Sequence, residues 1–142
     1  MYLTKEPIDL ASFIQAAEEN AGALVLFTGV VRPLDRGRKV ERLFYEAYDP
    51  MVERMMSRLI SEAGGRWPLL SARVLHRTGD VGIGEIAVAI AVYSEHRDEA
   101  FRACRFLIDE IKHRVPIWKK QFFEDGSSEW VLCSHLLETV SP

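Results

Sequence analysis

Cysteine is scarce in this chain, and no long apolar segment is present. Only two of the 142 residues are cysteines, Cys104 and Cys133, and their spacing fits no metal-binding or redox motif. No apolar run reaches the length that a membrane-spanning helix needs. The first ten residues, MYLTKEPIDL, lack the basic and apolar pattern of a signal peptide. We therefore expect a cytoplasmic protein.

Charge of one sign is also lacking. The formal net charge is −3, and 27% of the residues are charged while 48% are hydrophobic, as in an ordinary globular protein. The whole molecule therefore has no electrostatic attraction to nucleic acid or to an anionic membrane. Repeats, linkers and low-complexity tracts are absent too, so we expect one domain over residues 1–142. Any anion-binding site must come from a local cluster of Arg and Lys.

Several common catalytic patterns are missing. The four histidines form no HExxH or comparable pair, and a serine triad has no nucleophile elbow. The segment GDVGIGE, residues 79–85, contains GxxGxG and leads into another predicted strand, so a dinucleotide-binding motif fails on its context. Cys104 falls on the apolar stripe of a predicted helix, where we expect a buried structural thiol. We predict neither a metal nor a bound cofactor.

Hydrophobic periodicity predicts a mixture of helices and strands. Strands are expected at 23–31, 40–48, 71–77, 85–93, 117–123 and 129–133. Helices are expected from Asp9 to Gly22, from Asp49 to the pair Gly64-Gly65, and from Asp98 to a point before Pro116. Regular βαβ alternation is absent. We therefore predict an α+β fold, with a mixed, mostly antiparallel sheet and about three helices packed on it.

Basic residues gather near the ends of four predicted elements. They are Arg32, Arg36, Arg38 and Lys39; His96 and Arg97; Lys112, His113 and Arg114; and Lys119 and Lys120. Each group alone has an ordinary explanation, such as the preference of cations for helix C-termini. If the groups converge, they form a cationic pocket suited to a phosphate, with Arg as a bidentate clamp and Lys as a point charge. A lysine desolvated among other cations can also act as a nucleophile or a proton shuttle.

Ordered motifs along most of the chain resemble the large, catalytic subunit of molybdopterin synthase. The resemblance runs from about Gly22 to Val131. Its motifs are FTGVVR (27–32), LFYEAYDPM (43–51), EAGGRWPL (62–69), VLHRTGDVGIGE (74–85), SEHRDEAFRACRFLIDEIKHRVPIWKK (94–120) and DGSSEWV (125–131). It implies an α/β hammerhead-like fold. It also implies an enzyme that installs two sulfurs on cyclic pyranopterin monophosphate to form the dithiolene of molybdopterin.

The resemblance also implies two protein partners. Sulfur would arrive as a thiocarboxylate on the C-terminal Gly-Gly tail of a small ubiquitin-like sulfur-carrier subunit. The large subunit would form a homodimer, and one small subunit would insert its tail into each pocket of the resulting heterotetramer. An external sulfur source would explain why the chain has no catalytic cysteine.

Site residues follow from the resemblance, motif by motif. Lys112 and Lys119 would be catalytic. The substrate-binding residues would be Val30, Val31, Arg32, His96, Arg97, Lys112, Lys119, Lys120 and Gln121. Pro116 would turn the chain so that a lysine on the helix and one on the next strand face a single pocket. The chain departs from many relatives at residues 32–35, where it has RPLD in place of an Asn-rich loop.

Two other classes of function remain open at the level of sequence. One is a non-catalytic dimeric module that binds a phosphorylated small molecule. Replacing Lys112 and Lys119 by Arg would identify it, because the charge survives while the amine chemistry does not. The other is an enzyme that forms a Schiff base between lysine and a carbonyl substrate, which borohydride trapping would reveal.

Overall fold

The computed structural model describes residues 1–14 and 19–132, and its strands form two sheets. The helices are α1 Leu10–Phe13, α2 Asp49–Arg66 and α3 Arg97–Arg114. The strands are β1 Leu3–Thr4, β2 Ala23–Val30, β3 Leu34–Asp35, β4 Arg38–Ala47, β5 Leu69–Arg77, β6 Gly79–Gly82, β7 Ile86–Ser94, β8 Ile117–Phe123 and β9 Ser128–Leu132. All strand pairs are antiparallel except β1 with β5. The predicted α+β class is confirmed.

The first sheet has the order β1-β5-β7-β2, with β7 between two antiparallel neighbours. Residues 87–94 of β7 are all buried, because helices cover both faces of the strand. On one face Ala89 and Ala91 pack against Phe13 of α1. Ala89 and Ala91 alternate along the strand and so share this face. Small side chains let the helix approach the sheet closely.

The second sheet has the order β3-β4-β8-β9, and β6 also pairs with β4. Its inward residues Leu43 and Phe123 belong to the same buried cluster as Ile90 of the first sheet. Met56 of α2 and Leu107 of α3 complete that cluster. The two sheets therefore share one hydrophobic core, with α2 and α3 packed into it.

Helix α2 extends past its predicted end. The pair Gly64-Gly65 was expected to stop it, but the helix continues to Arg66. Glycine in a helix interior costs about 1 kcal/mol relative to alanine, so tertiary contacts must outweigh that preference here. Trp67, directly after the helix, packs edge to face on Phe106 with ring centroids 5.6 Å apart. The helix begins at Asp49, as predicted, and Tyr48 is its N-cap.

Helix α3 ends where it was predicted to end, and most of its predicted apolar stripe is buried, but Phe101 of that stripe is 60% exposed and the helix begins at Arg97 instead of after Asp98. Its buried residues are Ala100, Ala103, Cys104, Leu107, Ile108 and Ile111. Val115 follows as the C-cap, and Pro116 lies beyond the helix as expected. The helix packs on β7 and β2. It runs back along β7, because only two residues connect them. Eighteen helical residues span about 27 Å. The two ends of α3 therefore lie at opposite ends of the layer that α3 forms on the first sheet.

The remaining expectations were met in part. α1 has four residues and begins after Asp9, whose Oδ1 accepts from the Ala11 N–H at 3.1 Å. The predicted helix from Asp9 to Gly22 is too long, because Ile14 is already the C-cap and residues 19–22 are not helical. Residues 15–18 lie outside the described residues, as does Cys133 in the last predicted strand. Residues 32–39, between the predicted strands 23–31 and 40–48, contain the short strand β3, and Gly37 adopts φ 80° in the following turn. None of the described helices is both long and apolar enough to cross a membrane.

Candidate functional site

The ends of α3 carry two groups of predicted site residues, and the helix holds them apart. Arg97 begins α3 and His96 precedes it, whereas Lys112 lies in the last turn. Lys112 follows Arg97 by fifteen positions in the helix, which corresponds to about 22 Å along the axis. One chain therefore does not bring His96 and Arg97 into a pocket with Lys112.

Arg32 lies at the same end of the layer as Lys112. Strand β2 runs antiparallel to β7, with Ala23 opposite Ser94 and Val30 opposite Ile86. The C-terminal end of β2, where Arg32 follows, is therefore at the start of β7 and near the end of α3. The structure thus groups Arg32 with Lys112 and leaves His96 and Arg97 at the far end.

A buried histidine occupies the Lys112 end. His76 of β5 has only 6% of its surface exposed, and its Nδ1 lies 2.8 Å from the carbonyl oxygen of Arg77. A carbonyl only accepts, so Nδ1 carries the proton. Burial lowers the pKa of His76 to about 4, with the positive charge of Lys112 adding to this effect and the hydrogen bond to Arg77 opposing it. The ring is neutral at pH 7.

Tyr45 connects this histidine to the second predicted lysine. The rings of Tyr45 and His76 meet edge to face with centroids 4.9 Å apart. Tyr45 lies opposite Lys119 in the β4–β8 pair, and directly opposed residues of antiparallel strands project from the same face. Lys119 therefore lies on the face that carries Tyr45. Lys112 and Lys119 flank the buried pair of His76 and Tyr45, which we call the His76–Tyr45 pair.

The neighbours of Lys119 in β8 lie elsewhere. Lys120 projects from the opposite face, where its Nζ is 5.2 Å from the centroid of Phe122 and 5.7 Å from that of Trp130. Gln121 is buried. Its amide nitrogen, in the orientation that its surroundings require, donates to Asp35 at 3.2 Å and to Glu129 at 3.1 Å. The structure does not bring Lys120 into the group around Lys119, and it places Gln121 among hydrogen-bond partners of its own.

The two valines before Arg32 differ in their placement. Val30 is 48% exposed, whereas Val31 is 3% exposed and belongs to the main core. The backbone of Val31 is also paired, since its N–H donates to Glu85 and its carbonyl accepts from Gly84. Val31 therefore holds the end of β2 in place, while Val30 and Arg32 face outward.

Other basic residues of the predicted cluster are tied into the fold. Arg114 donates to Glu110 at 2.8 Å and lies 3.1 Å from Glu62 of α2, and both hydrogen-bonded carboxylates raise its pKa. Arg38 lies over the ring of Phe123 at 3.6 Å and close to two carboxylates of the β8–β9 hairpin. By contrast, Arg32, Lys112 and Lys119 form no ion pair within residues 1–14 and 19–132.

Sequence reasoning missed the polar residues behind the lysines. Besides His76 and Tyr45, Arg77 is largely buried, and its Nη1 lies 3.6 Å from Glu85 Oε1. The Nε of Arg77 has no hydrogen-bond partner in the described part of the chain. The one available signal was the dipeptide HR at the end of a predicted strand, which is too short to interpret alone.

An open groove of about 950 Å³ runs along α3 and reaches Lys112. Leu26 and Phe27 of the edge strand β2 line one side, and Phe101 and Ile108 of α3 line the other. Arg102, Arg105 and Asp109 also line the groove, so its β2 side is apolar while its α3 side carries charges of both signs. The groove is thus a candidate route to the lysine.

Thiol and metal chemistry find little support at this site. Burial raises the pKa of Cys104 to about 11, so its thiolate is scarce at neutral pH and the residue is a poor nucleophile. Within the described ranges, His, Cys, Asp and Glu form no group of three that could hold a metal ion.

Comparison with known proteins places this arrangement in a family. The MoaE protein family matches residues 3–114. The molybdopterin synthase catalytic subunit of Thermoplasma volcanium is 46% identical over 124 residues, covering 87% of this chain and 89% of that protein. The crystal structure of molybdopterin synthase from Staphylococcus aureus superposes with a TM-score of 0.87 at 42% identity, over 92% of this chain and 95% of the other.

A more distant solved structure extends the likeness of the fold. It is the protein–protein complex of subunits 1 and 2 of molybdopterin-converting factor from Helicobacter pylori, with a TM-score of 0.74 at 21% identity over 92% of this chain and 88% of that one. At that identity it supports the fold alone. Since the family pattern spans most of the sequence and close relatives match almost end to end, the chain belongs to the MoaE protein family.

Proposed function

We propose that this chain is the catalytic subunit of a molybdopterin synthase and acts as a sulfurtransferase in the cytoplasm. It would transfer two sulfurs from the C-terminal thiocarboxylate of a small sulfur-carrier subunit to cyclic pyranopterin monophosphate. The names of the relatives support the activity. The observation that carries the proposal is the placement of Lys112 and Lys119 around the buried His76–Tyr45 pair, without carboxylate partners in the described structure.

The charges at this end of the layer fit the proposed substrates. Arg32, Lys112 and Lys119 present positive charge that no described carboxylate neutralises. A pterin phosphate and a thiocarboxylate are both anionic, so both are attracted to these residues. A thiocarboxylate brings its own nucleophilic sulfur. The site therefore needs no reactive cysteine, in agreement with the burial of Cys104.

Lysine can contribute to the transfer in two ways. A neutral amine attacks the acyl carbon or accepts a proton, whereas an ammonium stabilises the oxyanion that develops when the thiocarboxylate carbon is attacked. The helix end favours a defined position for Lys112, since its stem leaves α3 beside the buried residues Ile108 and Ile111. Both roles require that position.

A second copy of the chain would complete the site. Arg97 and His96 lie about 22 Å from Lys112 along α3, so a phosphate site that uses both ends must take them from two chains. The edge strand β2 offers a contact surface because it carries no charged residue and leaves Leu24, Leu26 and Val30 partly exposed. Pairing two β2 strands antiparallel about a two-fold axis would set the Arg97 end of one copy beside the Lys112 end of the other.

The test is single-turnover product formation from purified precursor and a thiocarboxylated partner protein. The same partner with a plain carboxylate serves as the control. We expect Lys112→Ala to fold normally and lose nearly all product formation. We expect Lys112→Arg to retain substrate binding and still fail if the amine itself reacts. Product formation at the wild-type rate in Lys112→Ala would overturn the assignment of this lysine.

A further inference from the structure

Gln121 is a buried polar residue of the strand that carries Lys119. Only 5% of its surface is exposed, and it follows Lys119 by two positions in β8, on the same face. A buried amide is unfavourable unless its hydrogen-bonding groups are used. Its nitrogen donates to the carboxylates of Asp35 at 3.2 Å and Glu129 at 3.1 Å. The nitrogen carries two protons, and these two acceptors use both.

The two acceptors belong to different parts of the second sheet. Glu129 is the direct partner of Gln121 in the β8–β9 pair. Asp35 lies in β3, whose backbone pairs with β4 in the sheet order β3-β4-β8-β9. The contact between Gln121 and Asp35 therefore ties the β3–β4 hairpin to the face of β8 that carries Lys119.

Arg38 attaches the same hairpin at a second point. It is the strand partner of Asp35, its Nη2 donates to Ser127 Oγ at 2.7 Å, and its guanidinium lies over the ring of Phe123 at 3.6 Å. The Arg38 side chain is 44% exposed, whereas Gln121 is buried. A hydrogen bond shielded from water is stronger than an exposed one, so we expect the contact from Gln121 to be the stronger attachment.

The hairpin begins directly after Arg32, one of the three cations of the candidate site. Val31, before it, is 3% exposed and belongs to the main core. Pro33, after it, accepts through its carbonyl from the Val40 N–H at 2.9 Å. The exposed Arg32 is therefore held between a buried residue and a hairpin that Gln121 fastens. Releasing the hairpin would let the backbone after Arg32 move and would change the direction of its guanidinium.

We propose that Gln121 is a positioning residue of the site: its amide fastens the β3–β4 hairpin through Asp35 and so fixes the direction of the Arg32 guanidinium relative to Lys119. The resemblance assigns Gln121 to direct substrate binding, whereas an amide whose two protons are already used has none to offer an anionic substrate. The inference rests on the proposed function for the identity of the substrate. The attachment of the hairpin does not depend on it.

A double-mutant comparison distinguishes positioning from direct contact. Gln121→Leu keeps the approximate size of the side chain and removes its amide, and Asp35→Ala removes the acceptor while Gln121 stays. We expect each change to raise KM for the pterin substrate roughly five-fold with kcat little changed, and the double variant to be no worse than either single variant. Asp35→Asn keeps an acceptor oxygen and should retain a KM close to that of wild type.

Three kinetic outcomes would overturn the inference. The first is a wild-type KM in a folded Gln121→Leu protein. The second is a raised KM in Gln121→Leu together with a wild-type KM in Asp35→Ala, which would indicate direct contact between Gln121 and the substrate. The third is full additivity of the two changes in the double variant, because residues that act through one contact do not contribute independently.

Hydrogen exchange of the free protein needs neither substrate nor turnover. The Val40 N–H closes the hairpin on Pro33, so its exchange reports local opening, whereas the Ala91 N–H in the middle of β7 reports global unfolding. We expect Gln121→Leu to speed exchange at Val40 roughly ten-fold more than at Ala91, and Asp35→Asn to exchange like wild type. Equal changes at both amides, or none at Val40, would refute the attachment. Failure of wild-type turnover with a thiocarboxylated partner would instead refute the proposed function, and the exchange result would still stand.

Discussion

Arg97 and Lys112 lie at opposite ends of the same helix, about 22 Å apart along its axis. Both are expected in one substrate site, and a rigid 18-residue helix allows this only if two copies of the chain contribute. This relationship makes the oligomeric arrangement a matter of catalysis as well as of stability.

Complementation between two inactive variants tests the shared site. Arg97→Ala and Lys112→Ala should each be nearly inactive as homodimers. In a mixed dimer one of the two sites regains both residues, so random exchange should restore about a quarter of the wild-type activity. Co-expression with two affinity tags would isolate the mixed dimer for a direct assay. Purified mixed dimers without activity would show that the two residues do not act together across chains.

The two adjacent lysines of β8 should differ in their effect on turnover. Lys119 shares a face with Tyr45, whereas Lys120 projects from the other face toward Phe122 and Trp130. We expect Lys119→Ala to lower kcat by at least ten-fold, on the scale of one lost charge-assisted interaction of about 1.5–3 kcal/mol. The change in Lys120→Ala should be much smaller. Measuring kcat for both variants tests this difference. Equal losses of kcat would contradict the assignment of Lys119 and Lys120 to opposite faces of β8.

The buried His76 should make the protein less stable in mild acid. The pKa of His76 is about 4 in the folded protein, below the ordinary histidine value of 6.5, so between these values the unfolded chain binds more protons. Stability is therefore full above about pH 6.5 and falls as the pH drops toward 4, by up to about 3 kcal/mol. Urea denaturation at pH 7.5 and 4.5 should show this loss in wild type and a smaller loss in His76→Gln. An identical loss in both proteins would assign the acid sensitivity to other groups.

Two glycine-to-alanine changes should have opposite effects on stability. A Cβ on Gly22 would lie 2.1 Å from the carbonyl oxygen of Glu95, a backbone atom that cannot move aside easily. We expect Gly22→Ala to destabilise the protein by about 1–3 kcal/mol and to disturb the turn that leads to His96 and Arg97. Gly64 lies inside α2 with nothing within 4 Å of a new Cβ, so Gly64→Ala should stabilise by about 0.5–1 kcal/mol. Thermal unfolding of the two variants compares them directly, and a Gly22→Ala protein as stable as wild type would disprove the close approach.

The hydrophobic pattern of the sequence predicted those helices and strands in which the buried residues recur at the period of the element itself. The stripe of α3 and the continuous apolar run of β7 were recognisable because each element buries the residues that its period brings together. The end of α2 could not be recognised in this way. Trp67 packs on Phe106 and stabilises the last helical turn, although two glycines in that turn disfavour a helix. A residue 39 positions away in the chain is invisible to a local pattern.

The features of the candidate site also fall into those that the sequence determines and those that depend on the tertiary structure. The sequence by itself determined which residues are cationic, that Lys112 ends a helix and Lys119 follows in a strand, and that the motifs resemble one family. Only the tertiary structure decided that Arg114 is held by carboxylates and that Lys120 packs toward Phe122 and Trp130. It also placed His76 against Tyr45. The physical reason is that helix periodicity and hydrophobicity depend on residues that are close in the sequence. Strand register and ion pairing instead join residues that lie far apart in the chain.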